Sequence, residues 1–422
     1  MGNEGELQPV QSITGLQPNS LELKASPEDG CSWEPTYELT IPDDWPSGWY
    51  RLEMPAKYAA DDRNVDFIVA ESQRRGDVLY VFDTQTALAY NVYAGASIYG
   101  GFDSSGHWST RLAANQVSWM RPTVRSHTYD EELPQIVTPE SRPHEGEQFR
   151  LELAEKFNLA YVSNDSLVEM GADYLARYPA MVIAGTQEYW TNPQIELVKE
   201  YVRQGGNLYL SAEEFAYGVF RSEQGGRVVR YFNNPRDDLK LGTNPREIAS
   251  IRGLVDSLQD FFGVSLAHGY GLAPSEVFSP LRVVNPQSWV FEGLGYGAND
   301  PITSVRGIGV GAWVSNENGR YAITSSSIPS ADVDVLAIAP YEPIPAWDVL
   351  RQADEEIDPK IMHVPEHTPD TTYAILALIR QGKGQIFVAP GGWFNQPHAP
   401  FTDPRRAHVI ERVISRFAKL SS

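Results

Sequence analysis

The stretch Val78–Tyr99, VLYVFDTQTALAYNVYAGASIY, decides how this chain is read. Its first five residues, VLYVF, are a continuous apolar run, β-branched and aromatic, of the length of a buried strand. The run breaks at Asp83-Thr84, where a loop is expected, crowded with Tyr90, Tyr93 and Tyr99 and punctuated by Gly95, Gly100 and Gly101. In open α/β sheets ligands sit just beyond the carboxyl ends of the strands, so phenols and amides gathered there point to a site.

Outward from this stretch, strand-like and helical runs alternate, the signature of a parallel sheet flanked by helices. The clearest unit runs from Pro179 to Phe215. AMVIAG (180–185) reads as a strand, Thr191, Pro193 and Gln194 as a capped helix start, and Ile195, Val198 and Val202 as one helical face. Gly205-Gly206 stop that helix and NLYLSA returns as the next strand, giving a right-handed β-α-β unit. Further helices are expected over 145–157, 165–178 and 246–262, the last with Ile248, Ile251, Leu254, Leu258 and Phe261 as its stripe. A C-terminal helix has Asp403 as N-cap, Pro404 first, and Val409, Ile410, Val413, Ile414 and Phe417 as its apolar face. YAITSS, VLAIAP and QIFVAP are the strands expected after residue 320. Before residue 76, YELTIP, GWYRLEM and VDFIVAE alternate between Pro, Asp and Gly turns, as in a small antiparallel β unit. Residues 1–30 then form a flexible lead-in, 31–75 a small β unit packed on the main domain, and 76–422 the α/β domain with a loop-rich insertion at 213–345.

The β-α-β reading has a chemical consequence. Glu188 lies just past AMVIAG, and Glu213 and Glu214 just past NLYLSA, so parallel neighbours bring these carboxylates to the sheet edge that Tyr90 leaves. Carboxylates with phenols suit a hard cation, which takes oxygen ligands and lowers the tyrosine pKa enough for phenolate ligation. A competing reading has Glu188 stabilise the positive end of the helix that begins near Thr191. Spacing alone leaves both open.

Bulk properties exclude several functions. A formal charge of −21 disfavours nucleic acid and anionic membrane surfaces, both of which need Lys and Arg to neutralise phosphates. Cys31 is the single cysteine, so no disulfide framework or thiolate metal cluster forms within one chain, and its polar surroundings do not suit a nucleophile elbow. Eight histidines show no HxH or HExxH spacing, and His127 in SHTYDEE is the one best placed to approach the site. GxSxG, GxGxxG and GK[ST] motifs are missing, leaving nucleotide binding little support. The amino terminus lacks a basic n-region and an apolar h-region, and no run of eighteen apolar residues occurs. A cytoplasmic protein is the expectation.

Taken together, WEPTYELTIPDDWPSGWY (33–50), TALAYN (86–91), VSWMRP (117–122), EYW (188–190), YVRQGGNLYLS (201–211), FEG (291–293), PGGWFN (390–395) and RVISRF (412–417) resemble the large (beta) subunit family of N,N-dimethylformamidase, in its C-terminal region. The resemblance implies a glutamine-amidotransferase-like α/β domain holding a mononuclear ferric ion, Fe(III), on two tyrosines and a glutamate beside a histidine. It also implies cleavage of an amide- or formamide-type C–N bond by metal-activated water. Carried over, Tyr90 matches one tyrosine and Glu188 the glutamate. The second tyrosine, after the RP pair, is Thr123 here, the histidine two residues before the glutamate is Thr186, and the asparagine after the GG-strand motif is Glu213. Neighbours such as Tyr129, His127, Tyr99 or Glu213 could rebuild the site, Tyr129 as the missing phenol after a short insertion. Tyr90 and Glu188, with Tyr129 as a candidate, are then the expected metal ligands, and Glu188 and Glu213 the expected catalytic groups that hold or deprotonate the water. Asn91, Tyr99, Arg121 and Trp190 are the substrate-binding candidates. The implied partners are a small neutral amide-like substrate and either a second copy of the chain or a small second subunit. The Thr123 and Thr186 departures support an alternative: a non-catalytic or repurposed member that has lost the metal and binds a small ligand or a partner chain.

Overall fold

The structure, a computed structural model, describes residues 9–16, 25–31, 37–52, 65–121 (without 99, 110, 111, 113 and 115), 147–231 (without 186, 213, 214, 217 and 224–227), 258–264, 279–305, 312–340 (without 318, 319 and 325), 372–390 and 402–420. In chain order, strands β1 (Gly48–Leu52), β2 (Val65–Val69) and β3 (Val78–Phe82) precede helix α1 (Thr84–Tyr90), β4 (Gln116–Ser118) and α2 (Glu147–Ala154). Next come β5 (Leu159–Ser163), α3 (Leu167–Leu175), β6 (Ala180–Gly185), β7 (Tyr189–Trp190), α4 (Asn192–Gln204) and β8 (Asn207–Ala212). Strands β9 (Gly218–Glu223), β10 (Val228–Tyr231), β11 (Ser279–Val283), β12 (Pro301–Val305), β13 (Ala312–Glu317) and β14 (Arg320–Ile323) follow. The last elements are β15 (Val333–Pro340), β16 (Thr372–Gln381), β17 (Gly384–Val388) and α5 (Arg405–Phe417).

Among the described residues eleven strands form one mixed sheet in the order β12-β11-β15-β16-β17-β8-β6-β3-β5, with β13 paired to β16 and β14 to β13. From β17 to β5 the neighbours are parallel. From β12 to β17 they are antiparallel, which corrects the expectation of a parallel sheet throughout. The reason is connection length. Between β3 and β8 helices supply the crossovers that parallel pairing needs, whereas β16 turns into β17 through Gly382 and Lys383 alone, with Gly382 at φ +61°. A two-residue loop can only return the chain antiparallel. Strand β16, TYAILALIRQ, is the long central member that the sequence reading did not name.

Period-two alternation splits the parallel strands between two cores. Leu79, Val81, Met181 and Ile183 face α3 and α4, while Val78, Tyr80, Ala180 and Val182 face α2 and α5. Helix α4 begins with the predicted capping box, Thr191 and Gln194 bonding reciprocally, and ends on left-handed Gly205. The apolar stripes of α4 and α5 are buried as read. At α5 the N-cap position is Pro404, one residue later than expected, although Asp403 Oδ1 still accepts from Arg405 N at 2.8 Å. Of the stripe expected over 246–262, Leu258 and Phe261 are buried, and Ile248, Ile251 and Leu254 lie outside the described residues.

Among the described residues of the small antiparallel unit β1 pairs with β2, and residues 37–42, expected as a third strand, form none. YELTIP runs into a turn in which Trp45 N bonds Pro42 O, and Tyr37 and Ile41 are exposed. The pair is pinned to edge strand β5 by Ser47, whose Oγ donates to Val69 O at 2.9 Å and accepts from Tyr161 N at 2.7 Å. A second sheet runs β7-β9-β10-β4. Among the described residues no helix is long and apolar enough to cross a membrane.

Candidate functional site

Asp83-Thr84 opens a helix rather than the expected loop. Asp83 follows directly on β3 and its Oδ1 accepts from Thr86 N at 3.0 Å, satisfying one of the donors a helix start leaves open. That cap winds TQTALAY into α1 and puts Tyr90 on its last turn, so a rigid element and not a loop aims the phenol. The tyrosine crowding hid this: the cap signal lay in the Asp and the Thr three residues on.

Strands β3 and β6 are in parallel register, Val78 opposite Ala180, so α1 and the segment after β6 leave the same carboxyl edge. There the Tyr90 hydroxyl donates to Glu188 Oε1 at 2.7 Å, and both residues are buried. The segment carrying Glu188 is tied to α1, because Thr86 Oγ1 accepts from Glu188 N (3.1 Å) and Tyr189 N (3.3 Å). The N-cap of α4 is Thr191, so Glu188 is not the capping residue of that helix.

Two residues that the sequence reading passed over build the surroundings. Asn164, fully buried just past β5, accepts on Oδ1 from Thr84 N and Gln85 N and donates through Nδ2 to Asp83 Oδ1 (3.1 Å) and Tyr189 O (3.3 Å). Its carbonyl takes Gln194 Nε2 at 2.6 Å, joining the start of α4 to the same knot. Asp83 is the other. Burial pushes its carboxyl up to about 8; the hydrogen bonds from Thr86 and Asn164 work against that shift, and the Glu188 charge adds to it. The signals available were a polar residue at each strand end, Asp83 after VLYVF and Asn164 after LAYVS.

The remaining candidates divide. Arg121 is buried and spends its guanidinium on carbonyls at the end of α1: Nη1 reaches Asn91 O (3.0 Å), Tyr93 O (3.0 Å) and Ala96 O (3.1 Å), and Nη2 reaches Leu88 O (3.3 Å). A cation among the last carbonyls of a helix stabilises its negative end. Asn91 is the C-cap of α1, with Oδ1 accepting from Tyr93 N. Trp190 is wholly buried in the α3/α4 core, edge-on to Phe215. Tyr99, Tyr129 and Glu213, with Glu214, Thr123, Thr186 and His127, lie outside the described residues. The described residues therefore bring together two oxygen donors, Tyr90 and Glu188. They hold no cluster of three or more His, Cys, Asp or Glu able to take a metal.

Comparison with known proteins falls on this same scaffold. The family described as N,N-dimethylformamidase beta subunit-like, C-terminal, matches residues 4–392. Proteins named N,N-dimethylformamidase beta subunit from Paracoccus aminophilus and from an Alcaligenes species are each 21% identical over 347 residues. Those alignments cover 70% of this chain and 42% of each relative, so the chain spans under half the length of the proteins it matches. With the match running through the sheet, α1 and the Glu188 segment, the chain belongs to the N,N-dimethylformamidase beta subunit-like, C-terminal family.

Proposed function

We propose that the chain is a metal-dependent hydrolase of an amide- or formamide-type C–N bond, on a glutamine-amidotransferase-like scaffold. The observation that carries the reading is the buried contact of the Tyr90 hydroxyl with Glu188 Oε1, 2.7 Å apart at the carboxyl edge of parallel strands. A phenol and a carboxylate fit a hard ion such as Fe(III), and Tyr90 and Glu188 would hold it, with Tyr129 as the further phenol. When bound, such an ion supplies Lewis-acid polarisation of the substrate carbonyl and acidifies water. The chain's own part is proton handling and orientation. Glu188 Oε1 already accepts the Tyr90 hydrogen, so the carboxylate is the nearest base when the phenol acts as an anion. Burial of both groups keeps their interaction strong, and α1 with the Thr86 tie fixes their spacing.

Purified chain is expected to take up iron and to hydrolyse small formamides, with Glu188→Gln and Tyr90→Phe each losing metal and at least a hundredfold in kcat. Elemental analysis without bound metal, together with no activity on adding iron, would sink the proposal. Thr123 and Thr186 favour a second reading, a member that keeps the fold but binds a small ligand or a partner chain without turnover. That reading predicts wild-type ligand binding in both variants. The relatives are named as beta subunits, and by that likeness this chain is proposed to assemble with a further subunit or with itself. Sedimentation of the purified chain as a monomer, alone and with added candidate subunit, would remove this.

A further inference from the structure

Buried polar atoms are almost always hydrogen-bonded, so those that are not mark places of interest. Among the described residues six buried side-chain atoms have no hydrogen-bond partner, and four belong to two short segments: Asp83 Oδ2 and Gln85 Oε1 in one, Gln187 Oε1 and Trp190 Nε1 in the other. The Gln187 amide is not simply turned around. Its Nε2 already donates to Val81 O (3.2 Å) and Ala184 O (3.3 Å), and flipping it would set oxygen against oxygen. These segments flank Tyr90 and Glu188 and are joined by Thr86 and Asn164. Asp83 stands at the head of both links: its Oδ1 holds Thr86 N, whose side chain holds Glu188 N, and holds Asn164 Nδ2, which also reaches Tyr189 O.

We propose that Asp83 is the positioning residue of the Tyr90–Glu188 pair, fixing through Thr86 and Asn164 where the Glu188 carboxylate meets the phenol, beyond its service as the cap of α1. An ordinary cap needs one oxygen at the helix start and tolerates water on the other. Asp83 instead keeps Oδ2 buried and unpartnered, a cost that a surface cap avoids. The inference deepens the hydrolase reading, and its test has an arm that does not depend on turnover.

That arm is the hydrogen bond of the Tyr90 hydroxyl, read by ultraviolet resonance Raman at pH 6 as the difference between each variant and the same variant carrying Tyr90→Phe. Glu188→Gln supplies the reference for a changed acceptor. Asp83→Ala is expected to weaken the signature and Asp83→Asn, which keeps an acceptor for Thr86 N, to restore it. Thr86→Val, which removes the acceptor for Glu188 N and Tyr189 N, is expected to copy Asp83→Ala, and it decides the matter should Asp83→Ala fail to fold. In the activity arm Asp83→Ala and Thr86→Val are expected to lower kcat by tenfold to a hundredfold with KM little changed, since misplacement of about 1 Å costs on the order of a hundredfold. A Tyr90 signature unchanged in Asp83→Ala, or in Thr86→Val where the first does not fold, overturns the positioning role. A wild-type chain with no activity overturns the hydrolase reading and leaves the Raman outcome standing.

Discussion

Two buried tyrosine–glutamate pairs sit at opposite ends of the same strands. At the carboxyl edge of β3 and β6, Tyr90 donates to Glu188. At the amino edge, Tyr178, just before β6, donates to Glu71 Oε1, which also accepts from Arg75 N (2.9 Å) and Gly76 N (3.2 Å) just before β3. Glu71 is a fastener: one oxygen closes the turn into β3 and ties it to the loop before β6. The Glu188 segment reverses the arrangement. There the backbone is held by a side chain, Thr86 Oγ1, and the carboxylate meets a phenol among atoms that have no partner. A buried acid beside a phenol therefore says little by itself; what distinguishes the pairs is the sheet edge and whether neighbouring polar atoms are satisfied.

Breaking each pair should separate stability from chemistry. Glu71→Ala removes the acceptor of two buried donors, Gly76 N and the Tyr178 hydroxyl, and of the partly buried Arg75 N; with Tyr174 Oη left 3.4 Å from the Tyr178 hydroxyl and about 1–3 kcal/mol for each buried bond lost, the expected loss is roughly 2–4 kcal/mol. Glu188→Gln keeps an acceptor for Tyr90, so its loss should stay within about 1 kcal/mol. Urea unfolding of the two variants checks the contrast, and equal losses would erase it. Tyr178→Phe and Tyr90→Phe repeat the comparison at smaller scale. The first should cost about 1–2 kcal/mol for the donor missing from Glu71, and the second should show chiefly in metal uptake.

Acidity separates the edges next. The Asp83 carboxyl lies at about 8 in the folded chain against an ordinary value of 3.8, so the folded protein holds the extra proton between these limits. Stability from this group is then fully present below about pH 4 and is lost as pH rises through about 8. Wild type should lose melting temperature relative to Asp83→Asn between pH 5 and pH 8.5. Parallel curves for the two proteins would mean that the buried acid is charged throughout.

Much of the parallel half was legible because local rules act there without competition. AMVIAG, the Thr191–Gln194 box and Gly205 are each sufficient to mark a boundary, and their order fixes β6-α4-β8. The antiparallel half was harder to read. β16 is a ten-residue strand built on the apolar run YAILALI, its direction depends on the two-residue turn at Gly382, and its partners β15 and β17 come from either side of it in sequence. At the site, Tyr90 and Glu188 could be paired from topology, since parallel register alone brings their segments to one edge. Asp83, Thr86 and Asn164 could not, because Asp, Thr and Asn at strand ends are common turn residues and nothing local says which will be buried. Arg121 could be placed near the site from sequence, but its hydrogen bonds to the last carbonyls of α1 could not, because they depend on where the chain returns after β4.

The smallest predicted effect tests from which side the Glu188 segment is held. It could be fixed by α4, whose capping box begins at Thr191, or by α1 through Thr86. Thr191→Ala removes the acceptor for Gln194 N, a cap worth about 1 kcal/mol, and leaves both Thr86 contacts in place. If α1 does the holding, the variant unfolds about 1 kcal/mol more easily while the Tyr90 hydrogen-bond signature stays as in wild type. A changed signature would instead assign the placement of Glu188 to the helix that follows it. The carboxyl-edge pair would then resemble its counterpart at Glu71, set by the turn that carries it and not by a side chain across the sheet.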